Sequence, residues 1–316
     1  MEKKVIILEH DGGELANQLW NYASIYAYAL EKKFACENWS FFTYAQYFKN
    51  LYPTNKFIRT VFFKPFAGYH KRRGARRARF FRKLYKALVT IPVKAFSKRV
   101  FSSANPTNAT VYLPPTKESP TRLYALEADM KHVYMAQVSG AVFRNPVGMQ
   151  RYRKEILEHF RAAPGIEKTV TEELQKLRVA YAVVVGVHVR QGDYKNFKGG
   201  KFRIRQARVR EILEEYLMEQ GLSPEHVCFL IASDSPIEKD LFVGLNIVVG
   251  QRSAGEDLFF LSACDAVIGS DSTFGHFAAY LGNVPHIVMK NEPIDWAFYR
   301  GKKTFEHHQY LTVMAY

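Results

Sequence analysis

The sequence predicts an α/β fold in two domains, and three observations lead to this prediction. The chain has 316 residues, which is enough for two domains that each bury a core. The N-terminus has the pattern of a strand, a glycine-bearing loop and a helix. From residue 182 to residue 290, short apolar strands alternate with helical segments, which is the order of a parallel sheet. We place the boundary so that the domains comprise residues 1–165 and 166–316.

The first domain opens with a strand at residues 5–10, and the loop "DGGELANQ" and a helix through "LWNYASIYAYALEKKF" follow. This unit is typical of nucleotide-binding α/β domains, although the loop has no G-x-G-x-x-G dinucleotide motif. Residues 38–117 are aromatic and basic with scattered prolines. We predict helices and loops inserted in the first domain there, with the basic insertion at residues 56–117.

Two amphipathic helices, at residues 151–162 and 167–179, precede the second domain's sheet. The apolar runs after them are short and bounded by glycine or charge, as expected for buried parallel strands. The strands are predicted at 182–190, 227–233, 246–250, 265–270 and 286–290, with helices within 205–220, 255–264 and 272–282.

The composition predicts a cytoplasmic protein. Hydrophobic residues make up 47% of the chain, and no apolar run approaches the ~18 residues of a membrane span. The N-terminal apolar stretch is too short for a secretory signal. Three widely spaced cysteines, Cys36, Cys228 and Cys264, fit a reducing compartment. The prediction extends to a peripheral position on the inner face of the membrane if the basic segment described next binds lipid.

The net charge of +15 is concentrated in residues 70–101, the basic segment, and no acidic residue lies between Glu37 and Glu118. Pro92 is predicted to end the amphipathic helix in this segment. Three interpretations stay open: an anionic membrane surface, which we favour, a solvated helix whose apolar stripe faces its own domain, and nucleic acid. The apolar positions at helical spacing are Phe80, Phe81, Leu84, Tyr85 and Leu88.

Polar residues follow three of the second domain's strands, the first of them in "GVHVRQGDY". Because ligands bind at the carboxyl ends of parallel strands, these residues predict a binding site. Amides and hydroxyls at a helix start form an anion site, and an arginine adds a bidentate partner, so a pyrophosphate is the predicted ligand. The candidates are His188, Arg190 and Asp193 after the first strand, Asp234 after the second, and Ser272, Thr273 and Phe274 after the third.

Each feature also has a purely structural interpretation. Arg190 and Asp193 can form a local ion pair, Ser272 can simply cap a helix, and His188 can be a satisfied core histidine. We favour the binding site because the three features converge on neighbouring strand ends.

Four sequence blocks resemble the α-1,2-fucosyltransferases of glycosyltransferase family 11. "GVHVRQGDY" is similar to that family's H-x-R-R-G-D-Y motif, and "GELANQLWNYASIYAYAL" to its G-x-L-G-N-Q-L segment. "FLIASD" matches its F-S-D strand end, and "DLFFLSACDAVIGSDSTFGHFAAYLG" its D-L-x-L-M-S-x-C and N-S-T-F segment. The resemblance covers the start of the chain and most of residues 182–285, and leaves residues 38–150 outside.

The resemblance implies a GT-B type fold, with two Rossmann-like domains and a nucleotide-sugar site in the cleft. It implies inverting transfer of fucose from GDP-fucose to a hydroxyl of an oligosaccharide or lipid-linked glycan, in an α-1,2 linkage. No metal or other cofactor is expected, the sequence has no D-x-D, and Glu9-His10-Asp11 is interpreted as a strand end. No nucleic-acid partner is expected.

The family's residue roles transfer to matching positions. Arg190 would grip the diphosphate, with His188 beside the donor. Glu14, three residues before Asn17, is the candidate base, as in some protein O-fucosyltransferases that share the arginine motif; an exposed loop carboxylate is the alternative, and Asp193 the second choice. The remaining donor-side candidates are Ser272, Thr273 and Phe274 for phosphate, Asp257 with Glu256 as its rival for the guanine edge, and Asn17 and its loop.

Several positions depart from the family pattern. Gln191 replaces the second arginine, Ala16 a glycine, Asp271 an asparagine, and Gly275-His276-Phe277 the Ser-Trp-Trp. A related transferase that uses another nucleotide sugar is therefore the first alternative. The second alternative is a non-catalytic protein that binds nucleic acid or an anionic polymer, although no zinc finger, RRM or KH module is recognisable.

Overall fold

The computed structural model describes residues 4–9, 14–67, 76–96, 100–102, 132–136, 145–192, 194, 197–200 and 202–306. The chain divides into two compact units, of which the first ends at Ala163 and the second begins at Pro164. Our predicted boundary lies at 165/166. The prediction of an α/β fold is confirmed, because each unit contains a sheet whose paired strands run parallel.

The first unit has four strands within the described residues, in the order β2-β1-β4-β3. The core of β1, Val5 to Leu8, is at most 2% exposed because β1 lies between two neighbours. The sequence predicted only β1, since the other three strands are short and lie in stretches without a clear alternating pattern. The strands are β1 (Lys4–Glu9), β2 (Ala35–Asn38), β3 (Val100–Ser102) and β4 (His132–Ala136).

The first helix begins at Leu15, earlier than predicted, so Asn17 lies in its first turn and not in a loop. Residues on all sides of this helix are buried, because α5 and α6 pack against it in addition to the sheet. The predicted helix at 151–162 corresponds to the shorter α6, and a separate helix, α5, ends just before it at Arg151. The helices of this unit are α1 (Leu15–Glu31), α2 (Lys56–Ile58), α3 (Arg76–Tyr85), α4 (Ile91–Phe96), α5 (Pro146–Arg151) and α6 (Arg153–His159).

The described part of the basic segment is α3 and α4, joined by a wide π-helical turn at Lys86–Thr90. The prediction that Pro92 ends the helix is wrong. Pro92 is the second residue of α4, and the first turn of a helix does not need its N–H. Across the described residues, no helix combines the length and apolar character needed to cross a membrane.

Aromatic side chains build the contact between the basic segment and the rest of its unit. The buried Tyr85 ring lies 5.6 Å from Phe42 and 5.1 Å from Phe62, measured between ring centroids. Its hydroxyl donates a hydrogen bond to the Leu8 carbonyl oxygen at the end of β1 (2.8 Å). The aromatic residues of the predicted insertion therefore form a core of their own that anchors α3.

The second unit has five described strands in the order β7-β6-β5-β8-β9, with β5 at the centre. The five predicted strands are present with end points shifted by a few residues at most. Glycine in the left-handed conformation ends α8, since Gly221 has φ 62°. The strands are β5 (Val183–Val189), β6 (Val227–Ser233), β7 (Asn246–Val249), β8 (Ala266–Gly269) and β9 (His286–Val288), and the helices α7 (Pro164–Ala180), α8 (Gln206–Gln220), α9 (Ala254–Ser262), α10 (Thr273–Gly282) and α11 (Trp296–Tyr299).

A histidine in the first unit makes its stability depend on pH. Burial lowers the pKa of His159 to about 4, and its Nε2 is 2.9 Å from the Tyr22 hydroxyl. As the pH falls below ~6.5, the unfolded chain takes up the proton and the folded chain does not, so stability is lost between ~6.5 and about 4. We expect this histidine to lower the free energy of unfolding by about 2 kcal/mol between pH 7 and pH 5.

Urea unfolding at both pH values checks this prediction, with His159→Gln as the comparison because glutamine cannot titrate. The variant should lose less stability than the wild type between pH 7 and pH 5, whatever its stability at pH 7. Equal losses would contradict the lowered pKa of His159.

Candidate functional site

The three strand ends that carry the predicted site lie side by side. β5 pairs with β6 so that His188 is opposite Ala232, and with β8 so that His188 is opposite Gly269. All three strands run parallel, so the segments that follow them leave the sheet at one edge. The structure therefore brings the loops after residues 189, 233 and 269 together.

The loop after β8 turns directly into α10, and Ser272 caps that helix. The Ser272 backbone is extended (φ −147°, ψ 148°), and its hydroxyl oxygen accepts a hydrogen bond from the Phe274 N–H at 3.3 Å. Thr273 is the first helical residue. The N-terminal amides and the positive end of the helix dipole make this turn able to hold an anion.

His188 supports that turn from the end of β5. Its ring is stacked on Phe274, with centroids 4.9 Å apart and an angle of 29° between the planes. Its Nδ1 is 3.4 Å from the Ser272 hydroxyl oxygen. His188 is only 7% exposed, so it lies beneath the first turn of α10 and fixes its position.

Arg190 is held at its backbone, and its side chain extends over an aromatic ring. Its N–H donates a hydrogen bond to the hydroxyl of the buried Ser270 (3.0 Å). Its guanidinium carbon is 5.4 Å from the centre of the Tyr194 ring, whose hydroxyl donates to the Asp271 carbonyl oxygen at 2.7 Å. These contacts tie the loop after β5 to the loop after β8 and place a permanent positive charge beside the start of α10.

Asp234 connects the end of β6 to the loop after β5. Its carboxylate accepts hydrogen bonds from the backbone N–H of Gln191 at 2.8 Å and of Gly192 at 3.0 Å. These bonds fasten the loop that carries Arg190, and contact between Asp234 and the donor stays a prediction. Charge-assisted bonds of this kind are stronger than those between neutral groups.

Replacing Asp234 by asparagine should loosen this loop. The amide keeps one acceptor oxygen but loses the charge and the second acceptor, so we expect the free energy of unfolding to fall by about 1–2 kcal/mol. Amide hydrogen exchange at Gln191 and Gly192 should become faster. Asp240→Asn, at an exposed position of the same unit, is the matched control and should change neither quantity.

Gln191 stands where the family has a second arginine, and the structure explains what it does. The side chain is 8% exposed, and its amide nitrogen donates to the Ile204 carbonyl oxygen at 2.7 Å. It therefore points into the protein and stabilises the segment before α8.

The two carboxylates predicted for the guanine edge differ in their surroundings. Glu256 belongs to a capping box: its Oε2 accepts from the Ser253 N–H at 2.7 Å, and Ser253 accepts from the Glu256 N–H. Asp257, in the first turn of α9, is 3% exposed. Since α9 packs beside α10 and both follow parallel strands, Asp257 lies at the same edge of the sheet as the phosphate candidates. Glu256 serves the helix cap, which leaves Asp257 as the candidate of the two.

The remaining candidates lie elsewhere. Glu14 occupies the N-cap position of α1 and Asn17 its first turn, both exposed, so the structure brings these two together in the first unit. Asp193 lies outside the described residues, as do His10 and Asp11.

Sequence reasoning missed a pair of buried histidines, His276 on α10 and His286 at the start of β9. The rings of His276 and His286 are 4.0 Å apart, and both residues are at most 1% exposed. Burial, and then the neighbouring His276 and His188, hold the pKa of His286 well below its usual range. A Cβ on Gly275 would lie 2.9 Å from His286 Nε2, so the glycine at the family's serine position makes room for this ring. The replacement of the family's Ser-Trp-Trp by Gly275-His276-Phe277 was the sequence signal that could have pointed to this pair.

The chain is similar to known proteins in sequence pattern and in fold. The family model for glycosyl transferase family 11 matches residues 115–305, more than half of the chain. No curated protein matches the chain by sequence.

Solved structures show the same fold at low identity. One is a mutant of Arabidopsis thaliana FUT1 in complex with GDP, at 14% identity and a TM-score of 0.50, covering 92% of this chain and 72% of that one. Another is NodZ α-1,6-fucosyltransferase co-crystallised with GDP, at 14% identity and a TM-score of 0.51, covering 90% and 94%. A third is the fucosyltransferase NodZ from Bradyrhizobium, at 14% identity and a TM-score of 0.50, with the same coverage. The fold is therefore of the GT-B type that the family resemblance implied.

Proposed function

The chain belongs to glycosyl transferase family 11 and is a glycosyltransferase, and on that premise we propose that it transfers fucose from GDP-fucose to a hydroxyl group of a glycan. One observation carries the proposal: Arg190 and the capped start of α10 are fastened to each other at the edge of a parallel sheet. This arrangement suits a sugar diphosphate. The GDP bound in similar folds supports the choice of nucleotide.

In the proposed reaction, the acceptor oxygen bonds to C1 of fucose while the bond from C1 to the β-phosphate oxygen breaks. The electron pair leaves with GDP, and attack from the opposite face inverts the anomeric centre. Arg190 and the N–H groups at Thr273 and Phe274 would stabilise the charge that develops on the diphosphate. We propose that these groups suffice without a resident metal ion, so chelation by EDTA should leave turnover unchanged.

The acceptor's proton needs a base, and Glu14 is the residue that we propose for it. Its position at the start of α1 is exposed. A carboxylate can accept the proton that the acceptor hydroxyl loses, and an amide at the same position cannot. Glu14→Gln should therefore lower kcat far more than it weakens GDP binding.

The linkage that we propose is α-1,2, because the H-x-R-x-G-D-Y motif resembles enzymes of that linkage. The acceptor is an oligosaccharide or a glycan on a lipid carrier, and the protein is cytoplasmic. NodZ is described as an α-1,6-fucosyltransferase, so product analysis by NMR decides between the two linkages.

A transferase that uses another nucleotide sugar is the second candidate. Gln191 lacks the charge of the family's second arginine, and Gly275-His276-Phe277 departs from the family pattern in the first half of α10. Thermal stability with GDP, GDP-fucose, GDP-mannose, UDP and UDP-sugars separates the candidates. We expect a selective rise in Tm with GDP and GDP-fucose that Arg190→Ala reduces and Arg210→Ala, an arginine on α8, does not. A rise in Tm with UDP would indicate a UDP-sugar donor instead. No change in Tm with any nucleotide would overturn the proposed site.

A further inference from the structure

We propose that the outer side of α3 and α4 is a docking surface for an anionic lipid bilayer. The surface, here called the docking face, consists of Phe80, Leu84, Leu88 and Ile91 with the basic residues beside them. The docking face includes no residue of the candidate active site, so this proposal can be tested independently of the proposed function.

The apolar residues of the docking face lie along one continuous helical segment. Phe80 and Leu84 are four residues apart within α3 and share one side of it, while Leu88 lies in the π-helical turn and Ile91 directly after it. Phe80 is 61% exposed, Leu88 50% and Ile91 54%, and Leu84 is half-buried. Three large apolar side chains in a row on the surface of one helical segment form a patch and not the scattered exposure of an ordinary surface.

The opposite side of the same segment already attaches it to the first unit. Ala78, Tyr85 and Val89 are at most 4% exposed, and Tyr85 donates its hydrogen bond to Leu8. The apolar positions that the sequence placed at helical spacing therefore fall into two groups. The inner group packs against the first unit, and the outer group faces solvent. Packing within the domain accounts for Tyr85 but leaves Phe80 and Leu88 unexplained.

Positive charge borders the outer half. Arg76, Arg79, Lys83 and Lys86 are exposed, and residues 76–96 include no acidic side chain. Arg76 precedes Phe80 by four residues and Lys83 follows it by three, so both lie on the side of the docking face. Arg77 is also exposed, but its guanidinium donates a hydrogen bond to the Pro65 carbonyl oxygen and lies 5.6 Å from the centre of the Phe66 ring.

The combination favours a bilayer over nucleic acid. A helix that lies in a membrane interface inserts apolar side chains between the lipids while its basic residues contact anionic headgroups. The phosphates of a nucleic acid would bind the basic side chains but would leave Phe80, Leu88 and Ile91 exposed to water. Only the bilayer uses both components.

Flotation with lipid vesicles tests the proposal on the full-length protein. It should bind vesicles of phosphatidylcholine with 30% phosphatidylglycerol, on the order of the anionic fraction that basic segments require, and bind pure phosphatidylcholine much more weakly. Arg76→Gln/Arg79→Gln/Lys83→Gln should weaken binding to the anionic vesicles about a hundredfold. Phe80→Ser/Leu88→Ser/Ile91→Ser, which keeps every charge, should weaken it at least ~10-fold.

Matched variants elsewhere control for general effects. Lys154→Gln/Lys168→Gln/Lys176→Gln removes three exposed charges, and Met218→Ser/Val243→Ser removes two exposed apolar residues; both should bind as the wild type does. All the variants change exposed side chains, so their Tm should stay near that of the wild type. Vesicle binding that survives the serine variant would overturn the proposal, as would binding to an RNA oligonucleotide in preference to the anionic vesicles.

Discussion

Arg190→Lys should lower kcat by about 10² to 10³ while the protein stays folded. The guanidinium can hold two diphosphate oxygens at once, and an ammonium group cannot reproduce that geometry. Losing such a contact in the transition state costs ~3–4 kcal/mol. The fold should be preserved, because the structure ties Arg190 to Ser270 through its backbone N–H, which lysine retains.

Release of GDP from GDP-fucose in the presence of acceptor measures this effect, and urea unfolding measures stability alongside it. Arg210→Lys, on α8, should retain wild-type kcat. If Arg190→Lys turned over at the wild-type rate, the positive charge alone would suffice, and bidentate binding by Arg190 would be wrong.

Gly282→Ala should lower the free energy of unfolding by about 3 kcal/mol. A Cβ at this position would overlap the carbonyl oxygen of Ser262 and would lie 2.9 Å from the carbonyl carbon. Both neighbours are backbone atoms, so a rotated side chain cannot relieve the clash, and α10 would have to move away from α9. Because α10 also begins at Ser272, its displacement should weaken GDP binding as well.

Gly165→Ala is the matched control. Gly165 is near the start of α7, and a Cβ there would have no heavy atom within 4 Å. The free energy of unfolding of the Gly165→Ala variant should stay the same or rise slightly, because alanine favours a helix. The free energies of unfolding in urea should therefore differ by several kcal/mol between the two variants; similar values would show that α9 and α10 are not closely packed.

Much of the second unit could be predicted from the sequence. The apolar runs that end in "HVRQGD", "ASDS" and "GSDSTF" are local patterns, and each marks a buried strand that stops at a polar turn. Parallel order then follows from the alternation with helices, and the nearness of His188, Arg190 and Ser272 follows from parallel order. The first unit was harder to predict: β2, β3 and β4 are short, and their pairing is set by strands distant in the chain.

What the sequence by itself determined is which residues stand at the edge of the sheet. The tertiary structure decided what each of them does there. Asp234 binds the amides of Gln191 and Gly192, Gln191 points inward to Ile204, and the stripe of α3 divides between Tyr85 inside and Phe80 outside. The physical reason is that periodicity and turn chemistry are local. The partner of a hydrogen bond and the covered side of a helix are set by groups far away in sequence, which only the folded chain brings into contact.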